Sequence, residues 1–331
     1  MDLKSKIQKD VLLSPLTTFK IGGPAKYFVE AESIEEIREF CGWAKDNLPG
    51  LPADRQVFVL GGGSNVLISD KGFNGLVIRI KPCLPAGRNQ ELRIKNNEVV
   101  VGAGVPLAKL VAETAKAGLS GLEWAVGIPG TVGGAIAGNA GAFSKSISDS
   151  VKEVKVFDTE ELKIKNYESE DCDFGYRDSI FSARSGDLLV FSAVLKLKKE
   201  KSEIIRQKIK DYVKQRTESF VVGQACAGCF FKNIEWRRKD MGKEKILQKF
   251  PELKQFADKP KISVGFLIDY LGLRGKKIGG AMISSQHANF IINSKDATAE
   301  HVLMLSGLIK QRVFNHYGFA LENEVRLIGF D

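Results

Sequence analysis

Three stretches of the 331-residue chain carry side chains able to move protons or steady negative charge. Residues 225–233, ACAGCFFKN, set Cys226 and Cys229 at the C-x-x-C spacing of redox dithiols and of half zinc sites. FGYRDSIF (174–181) puts Arg177 between aromatic residues and Asp178. A guanidinium in that setting presents a planar fork suited to two carboxylate oxygens. Near the end of the chain, LENEVRLIG (321–329) carries Glu324 and Arg326. Each has a plainer reading when taken singly: a paired surface arginine, an exposed strand carboxylate, a small buried thiol. No second Cys or His pair lies at ligand spacing near Cys226, so a metal centre has no support.

Glycine supplies a different chemistry. GGGSN (61–65) follows a strand directly, but it lacks the third glycine and the helix pattern of a dinucleotide fingerprint. GAGVPL (102–107) fails in the same place, which argues against a nicotinamide-binding Rossmann domain. Successive glycine N–H groups can still nest an anion at 61–63, with Ser64 and Asn65 as further donors; the bland alternative is a tight turn. In GIPGTVGGAIAGNAGAF (127–143), five of the first eight residues are Gly or Pro, so a regular strand is excluded. Such a run lets backbone lie close against a flat or phosphorylated ligand. A packed glycine-rich loop accounts for it equally well.

These stretches need elements to hold them. SIEEIREFCGWAKDN (33–47) predicts a helix capped by Ser33 with Glu36 three residues on, and its apolar spacing buries Cys41. QVFVL (56–60), VLIS and GLVIRIK read as strands, and ELRIKNNEVVVGAG as a hairpin turning at Asn96-Asn97. A helix runs from Pro106 to Gly118, and SVKEVKVFD, NYESEDCDF and DLLVFSAVLKLK supply further strands. KEKSEIIRQKIKDYVKQR (199–216) predicts a basic amphipathic helix at a domain junction. The helix at 298–318 has Thr298 and Gly318 as its caps, and EVRLIGF closes the chain as a strand.

Composition bounds the class. With 44% hydrophobic and 27% charged residues the chain reads as a globular protein of two or three domains. Five cysteines at irregular positions and an N-terminus without an apolar h-region point to a cytosolic protein without disulfides. The uncharged stretch 125–142 is too rich in glycine, and too broken by Pro129 and Asn139, to read as a membrane span. A net charge of +9 suits anionic partners without naming one; in the absence of a nucleic-acid motif a solvated basic face fits it better than nucleic acid, and nucleotide-type small molecules would use the same charge equally well.

In this order, TTFKIGGPA (17–25), VLGGGSNVL (59–67), GLEWAVGIPGTVGGAIAGNAGAF (121–143), FGYRDS (174–179), AGCFFKN (227–233), GFLIDYLGLRG (265–275), SSQHANFIIN (284–293) and LENEVRLIG resemble the UDP-N-acetylenolpyruvoylglucosamine reductases. These are the MurB flavoenzymes of peptidoglycan precursor synthesis. The resemblance implies an α+β fold. A two-part FAD-binding region of vanillyl-alcohol-oxidase type would span 1–200 (about 1–80 and 81–200), followed by a C-terminal substrate domain at 201–331. It implies FAD as cofactor, NADPH as reductant, a sugar-nucleotide substrate, and a cytoplasmic monomer.

Carried over by position, Arg177 and Glu324 would stabilise the enolate formed from the enolpyruvyl group, Glu324 in its protonated form. Cys229 would deliver the proton, in place of the serine of many members. A thiol, with an ordinary pKa of about 8.5, gives up a proton more easily than an alcohol. Flavin contacts would come from Gly22, Gly23, Gly61, Gly62, Gly63, Ser64, Asn65, Gly127, Ile128, Pro129, Gly130, Thr131, Gly133, Gly134 and Gly138. Asn233, Arg274, Gln286, His287 and Arg326 would hold the substrate. Departures from the family pattern are Phe143 for a common tyrosine, Arg274 for a common lysine, and Ile234 for a common proline. The short stretch from Arg177 to Cys229 matches the second subgroup, while 234–262 is a basic insertion expected to form an added helix or lid. Two alternatives stand beside this reading: a related FAD oxidase or dehydrogenase of another small substrate, and a zinc-dependent nucleic-acid-binding protein built on the C-x-x-C.

Overall fold

The computed structural model describes residues 3–52, 56–83, 91–184, 186–219, 223–237 and 242–330. The chain forms two compact units. The first takes Met1–Leu16, Gly23–Ser64 and Lys71–Glu218; the second takes Thr17–Gly22, Asn65–Asp70 and Ser219–Asp331. The sequence reading put a boundary at 200/201, whereas contacts divide the chain after Glu218 and draw two early segments into the second unit.

In the first unit, strands β1 (Gln8–Leu12), β2 (Pro24–Ala31), β3 (Val57–Val59) and β5 (Phe73–Ile80) form one sheet in the order β1-β2-β5-β3. Strand β4 (Val66–Ile68) belongs to the second unit. Helix α1 (Ile34–Asn47) begins where the Ser33 hydroxyl accepts the Glu36 N–H. The Glu36 carboxylate turns back to accept the N–H of Glu32 (2.8 Å). Its Ile37, Phe40, Cys41 and Ala44 are buried with Val29, Leu76 and Ile78 of the sheet, as helical spacing requires.

A second, antiparallel sheet follows: β6 (Leu92–Lys95), β7 (Glu98–Gly102), β8 (Val151–Asp158), β9 (Lys163–Glu168) and β10 (Leu188–Lys196), ordered β9-β8-β10-β7-β6. The β6–β7 hairpin turns at Asn96, whose φ of 57° is the left-handed conformation that asparagine tolerates. Helix α2 (Leu107–Lys116) and the short helix α3 (Val132–Ala137) pack on this sheet through Leu107, Leu110, Val132 and Ile136. Helix α3 lies inside the glycine run, where the sequence suggested only loop. Thr131 caps it, and Gly133 is needed because a Cβ there would stand 2.7 Å from the Cβ of Ala103. A one-turn helix, α4 (Ile180–Ala183), and the long α5 (Ser202–Ser219) complete the unit.

The second unit holds a four-stranded sheet of β11 (Ala225–Cys229), β12 (Lys277–Ile278), β13 (Ala281–Ile283) and β14 (Phe290–Asn293), ordered β11-β14-β13-β12. The last strand, β15 (Arg326–Ile328), pairs in parallel with β4. The insertion opens and closes on the pairs Ile234↔Ile262 and Glu235↔Lys261. Between them stand helix α6 (Lys243–Lys249) and a 3-10 helix at Pro251–Phe256; residues 238–241 lie outside the described residues. Phe250, Leu253 and Phe256 sit in the core of the unit, so this part of the insertion is built into the fold. Helix α7 (Val264–Tyr270) follows. Helix α8 (Ala299–Tyr317) buries Val302, Leu305, Ile309 and Val313 against the same core, to which Phe19, Ile21 and Leu67 contribute. Among the described residues no helix is long and apolar enough to cross a membrane.

Candidate functional site

In the first unit the two glycine stretches meet. A Cβ on Gly62 would lie 2.6 Å from the Gly130 Cα, and one on Gly61 would lie 2.8 Å from the Thr131 hydroxyl. Gly63 and Gly130 have φ of 63° and 116°. The Ser64 hydroxyl donates to the Pro129 carbonyl at 3.1 Å, locking one loop to the other. Among the described residues no backbone acceptor meets the N–H groups of Gly61 or Gly62. The result is a glycine-lined cradle whose Gly61 and Gly62 N–H groups have no backbone acceptor, which is what a diphosphate requires.

The helix behind this cradle offers less than its glycines suggested. The first N–H groups of α3 are taken by the chain itself, Val132 donating to Val105 O and Gly133 to Ala103 O, both at 2.9 Å. Gly134 donates to the Thr131 hydroxyl, and Gly138 is the C-terminal cap. Ile128 donates to Ala125 O, closing the turn before Pro129. Ser64, expected as an anion donor, spends its hydroxyl proton on Pro129. Gly23 accepts the Leu13 N–H (3.1 Å) at the entrance to β2.

Arg177 projects from the 174–179 turn. Its backbone is left-handed (φ 55°), a conformation costly for a long side chain and retained where the surroundings enforce it. Three contacts do so: Asn139 Nδ2 donates to Gly175 O (2.7 Å), Ser179 Oγ donates to Ala137 O (2.7 Å), and Arg177 Nη2 donates to Gly141 O (2.5 Å). The turn is thereby fastened to the end of α3, and the guanidinium is held beside the glycine run.

One feature of this unit escaped the sequence reading. Lys208, Tyr212 and Arg216 recur every four residues on α5 and dock it, where the sequence suggested a junction. Lys208 donates to the Ser120 hydroxyl (3.1 Å) and faces the buried Glu123, which also accepts the Gly121 N–H (2.8 Å). Tyr212 packs on Phe143 at 5.0 Å. Arg216 donates to Trp124 O (3.2 Å), lies over the Phe143 ring, and places its Cδ 3.0 Å from where a Gly127 Cβ would be. Burial lowers its pKa below the usual arginine value. This is why α5 stays with the first unit, and the i, i+4, i+8 spacing was the available signal.

In the second unit, Cys229 ends β11, opposite Phe290. The next residues run beside the C-terminal strand: Glu324 N donates to Phe230 O (2.8 Å), and Lys232 N donates to Glu322 O (2.9 Å). The proposed acid and the proposed carboxyl group are therefore on adjacent backbones. Asn65 is bonded to this pair of segments. Its amide donates to Glu324 O (3.1 Å), and its carbonyl accepts the Arg326 N–H (3.0 Å). Gly22 belongs here too; with φ 137° and a would-be Cβ 2.9 Å from the Cβ of Ile68, its glycine is required for packing. Burial lowers the Arg326 pKa. Asn289, not singled out from sequence, is buried and grips Phe231 from both sides, accepting its N–H (3.1 Å) and donating to its carbonyl (2.8 Å).

The expected substrate residues divide. Asn233 Oδ1 accepts the Val264 N–H (3.0 Å) at the start of α7. Arg274 makes a two-pronged bond to Asp269 and donates to Ser285 O (2.6 Å), which keeps it beside the exposed Gln286. The Asp269 pair raises the arginine's pKa and lowers that of the carboxyl. His287 Nδ1 accepts the Asn289 N–H, and burial followed by the Arg274 charge lowers its pKa, which favours the neutral ring. Among the described residues no cluster of three or more His, Cys, Asp or Glu side chains is placed to hold a metal.

Comparison with known families gives two matches. Residues 25–162 match an FAD binding domain, and residues 221–328 match the C-terminal domain of UDP-N-acetylenolpyruvoylglucosamine reductase. A reductase of that name from Syntrophomonas wolfei is 37% identical over 95% of this chain and 92% of its own length. The chain belongs to the UDP-N-acetylenolpyruvoylglucosamine reductase family. One from Protochlamydia amoebophila is 37% identical over 100% of this chain and 97% of its own. The crystal structure of the Thermus caldophilus MurB superposes with a TM-score of 0.74 at 34% identity, covering 97% of this chain and 99% of that one. The fold is thus the FAD-binding α+β architecture with a MurB-type C-terminal domain, and FAD is the cofactor.

Proposed function

We infer that the chain reduces the enolpyruvyl group of UDP-N-acetylglucosamine enolpyruvate to the lactyl ether of UDP-N-acetylmuramate, a step of peptidoglycan precursor synthesis. The observation that carries this beyond a general flavoprotein is the match at 221–328, in which Cys229 and Glu324 lie on hydrogen-bonded neighbouring segments. It favours the reductase over an oxidase of another small substrate, which would share only the FAD-binding part.

The cradle of Gly61–Ser64 and Gly127–Thr131 fits the diphosphate of FAD, because its backbones approach closely and the Gly61 and Gly62 N–H groups meet no backbone acceptor among the described residues. FAD, when bound, would supply the hydride, drawn from NADPH, that the terminal carbon of the enolpyruvyl double bond takes up. That leaves carbanion character beside the substrate carboxylate. Arg177, fixed by Gly141 O and its strained backbone, supplies a rigid positive charge for the enolate. Glu324 serves the same charge as a neutral hydrogen-bond donor, since an ionised carboxylate would repel it. Cys229 gives its thiol proton to the carbon bearing the carboxylate. Arg274 and Gln286 stand together for the sugar nucleotide, with Arg326 and Asn233 as further candidates. We assign the enzyme to the cytoplasm, on the grounds that its nucleotide substrate and reductant are soluble anions, and take it to work as a monomer from its likeness to the family.

The test is direct. Purified protein should be yellow and should consume NADPH only when the enolpyruvyl sugar nucleotide is present. Cys229→Ala should leave flavin reduction by NADPH intact and lower overall turnover by roughly 100-fold or more. A flavoprotein indifferent to that substrate would contradict the reading.

A further inference from the structure

We propose that Cys226 and Cys229 form a peroxide-sensitive dithiol, and that its closure to an intramolecular disulfide withdraws the proton donor and stops turnover. The inference rests on Cys229 being the acid, and it adds a use for Cys226, which the reaction leaves idle.

In a regular strand, residues three apart face opposite sides. Strand β11 is not regular. Its pairing with β14 runs Cys226↔Ile292 and Cys229↔Phe290, with a register shift between them, so four residues on one strand span three on the other. Gly228, at φ 79°, absorbs the extra residue. Phe290 and Ile292 are two apart on their own strand and share a face. The thiols opposite them therefore share it too, and both pack on Phe290 and Ile292 beside Met282. Two residues of strand separate the cysteines along the sheet, about 6.6 Å. Disulfides span Cα separations of about 4.4–6.8 Å, so closure needs little backbone movement.

Accessibility singles out the same pair. Both are half-buried, whereas Cys41, Cys83 and Cys172 are buried. Burial pushes those three up to about 12, 11 and 12, which leaves almost no reactive thiolate. Burial also raises Cys226, against the opposing pull of the Gly228 N–H, which suits a resolving thiol better than a first nucleophile. In the step itself the Cys229 sulfur attacks hydrogen peroxide. The O–O bond breaks, giving a sulfenic acid and water. The Cys226 thiol then displaces the sulfenic oxygen, which leaves as a second water while the S–S bond forms. Two thiols are oxidised and one peroxide is reduced.

The experiment treats the FAD-loaded full chain with hydrogen peroxide, quenches it by alkylation, and weighs the tryptic peptide between Arg216 and Lys232. That peptide should lose two hydrogens in step with a loss of turnover of roughly 100-fold, while NADPH still reduces the flavin. A thiol reductant should restore both peptide mass and turnover. Cys226→Ala, or Cys226→Ser as a second variant, should turn over normally when reduced and should gain oxygen under peroxide in place of losing hydrogen. Inactivation of the native chain without the loss of two hydrogens overturns the dithiol and leaves the acid role of Cys229 standing. Complete disulfide formation with unchanged turnover overturns the switch, and with it the reading of Cys229 as the acid.

Discussion

The side-chain amide of Asn65 donates to the backbone carbonyl of Glu324 at 3.1 Å, across 259 residues of chain. With its backbone carbonyl taking the Arg326 N–H, Asn65 is tied to the C-terminal segment by one side-chain and one backbone bond. We expect Asn65→Ala to retain its flavin and its reduction by NADPH, and to lose roughly ten- to hundredfold in kcat as Glu324 drifts from its position. Stopped-flow measurement of the two half-reactions separates the effects. A colourless variant would return Asn65 to the flavin site.

The glycine cradle is tested by contrast. Gly62→Ala drives a Cβ to within 2.6 Å of the Gly130 Cα and must part the loops. Gly134→Ala meets nothing nearer than the Thr131 hydroxyl at 3.6 Å. The first should purify without flavin and the second with it, as read by absorbance and protein content. Equal flavin in both would show that loop–loop contact is not what shapes the cofactor site.

Stability of the second unit depends on a distant cap. Both carboxylate oxygens of Asp70 accept the Ala299 N–H (3.0 and 2.9 Å), and one also accepts that of Glu300 (3.3 Å), at the start of α8. Asp70→Ala should cost about 1–2 kcal/mol, measured by denaturant unfolding, because Thr298 still caps His301 N.

Asp158 gives a pH signature. Burial acts to raise its carboxyl, but the Lys165 ammonium at 2.8 Å and the Glu161 N–H outweigh it and hold the pKa below the usual carboxylate range. A lowered folded pKa contributes stability above the unfolded value, near about 4, that is lost as pH falls below it. Asp158→Asn should therefore be less stable at pH 7 by about 1–3 kcal/mol. The gap to the native chain should close below pH 4 in urea titrations.

Local signals carried much of the architecture. Ser33 and Thr298 announced their helices through side chains that accept the first free N–H groups, and Asn96 announced its hairpin. The short helix at 132–137 was hidden because its two glycines, one of them held close against Ala103, mask helical periodicity. The bonds of Asn65 to the C-terminal segment were hidden for a different reason. Its neighbours Gly61–Ser64 belong to one unit, and only pairing with residues near 326 assigns it to the other. Asn289 passed unnoticed in the sequence, since its two bonds to Phe231 span 58 positions. The catalytic candidates were legible only as a family pattern: the backbone bond from Glu324 to Phe230 leaves no trace in local composition.

The parallel pairing of Val66–Ile68 with Arg326–Ile328 has a consequence for how the molecule is made. A ribosome releases one partner about 260 residues before the other, and Phe19, Ile21 and Leu67 must wait equally long for the core that buries them. During synthesis the first unit can close, while these early apolar segments stay available to chaperones or to one another. A C-terminal fragment beginning near residue 219 would lack the strand and the three side chains that complete its core. Expressed alone it should aggregate, and supplying residues 17–70 in trans is the measure of what it is missing.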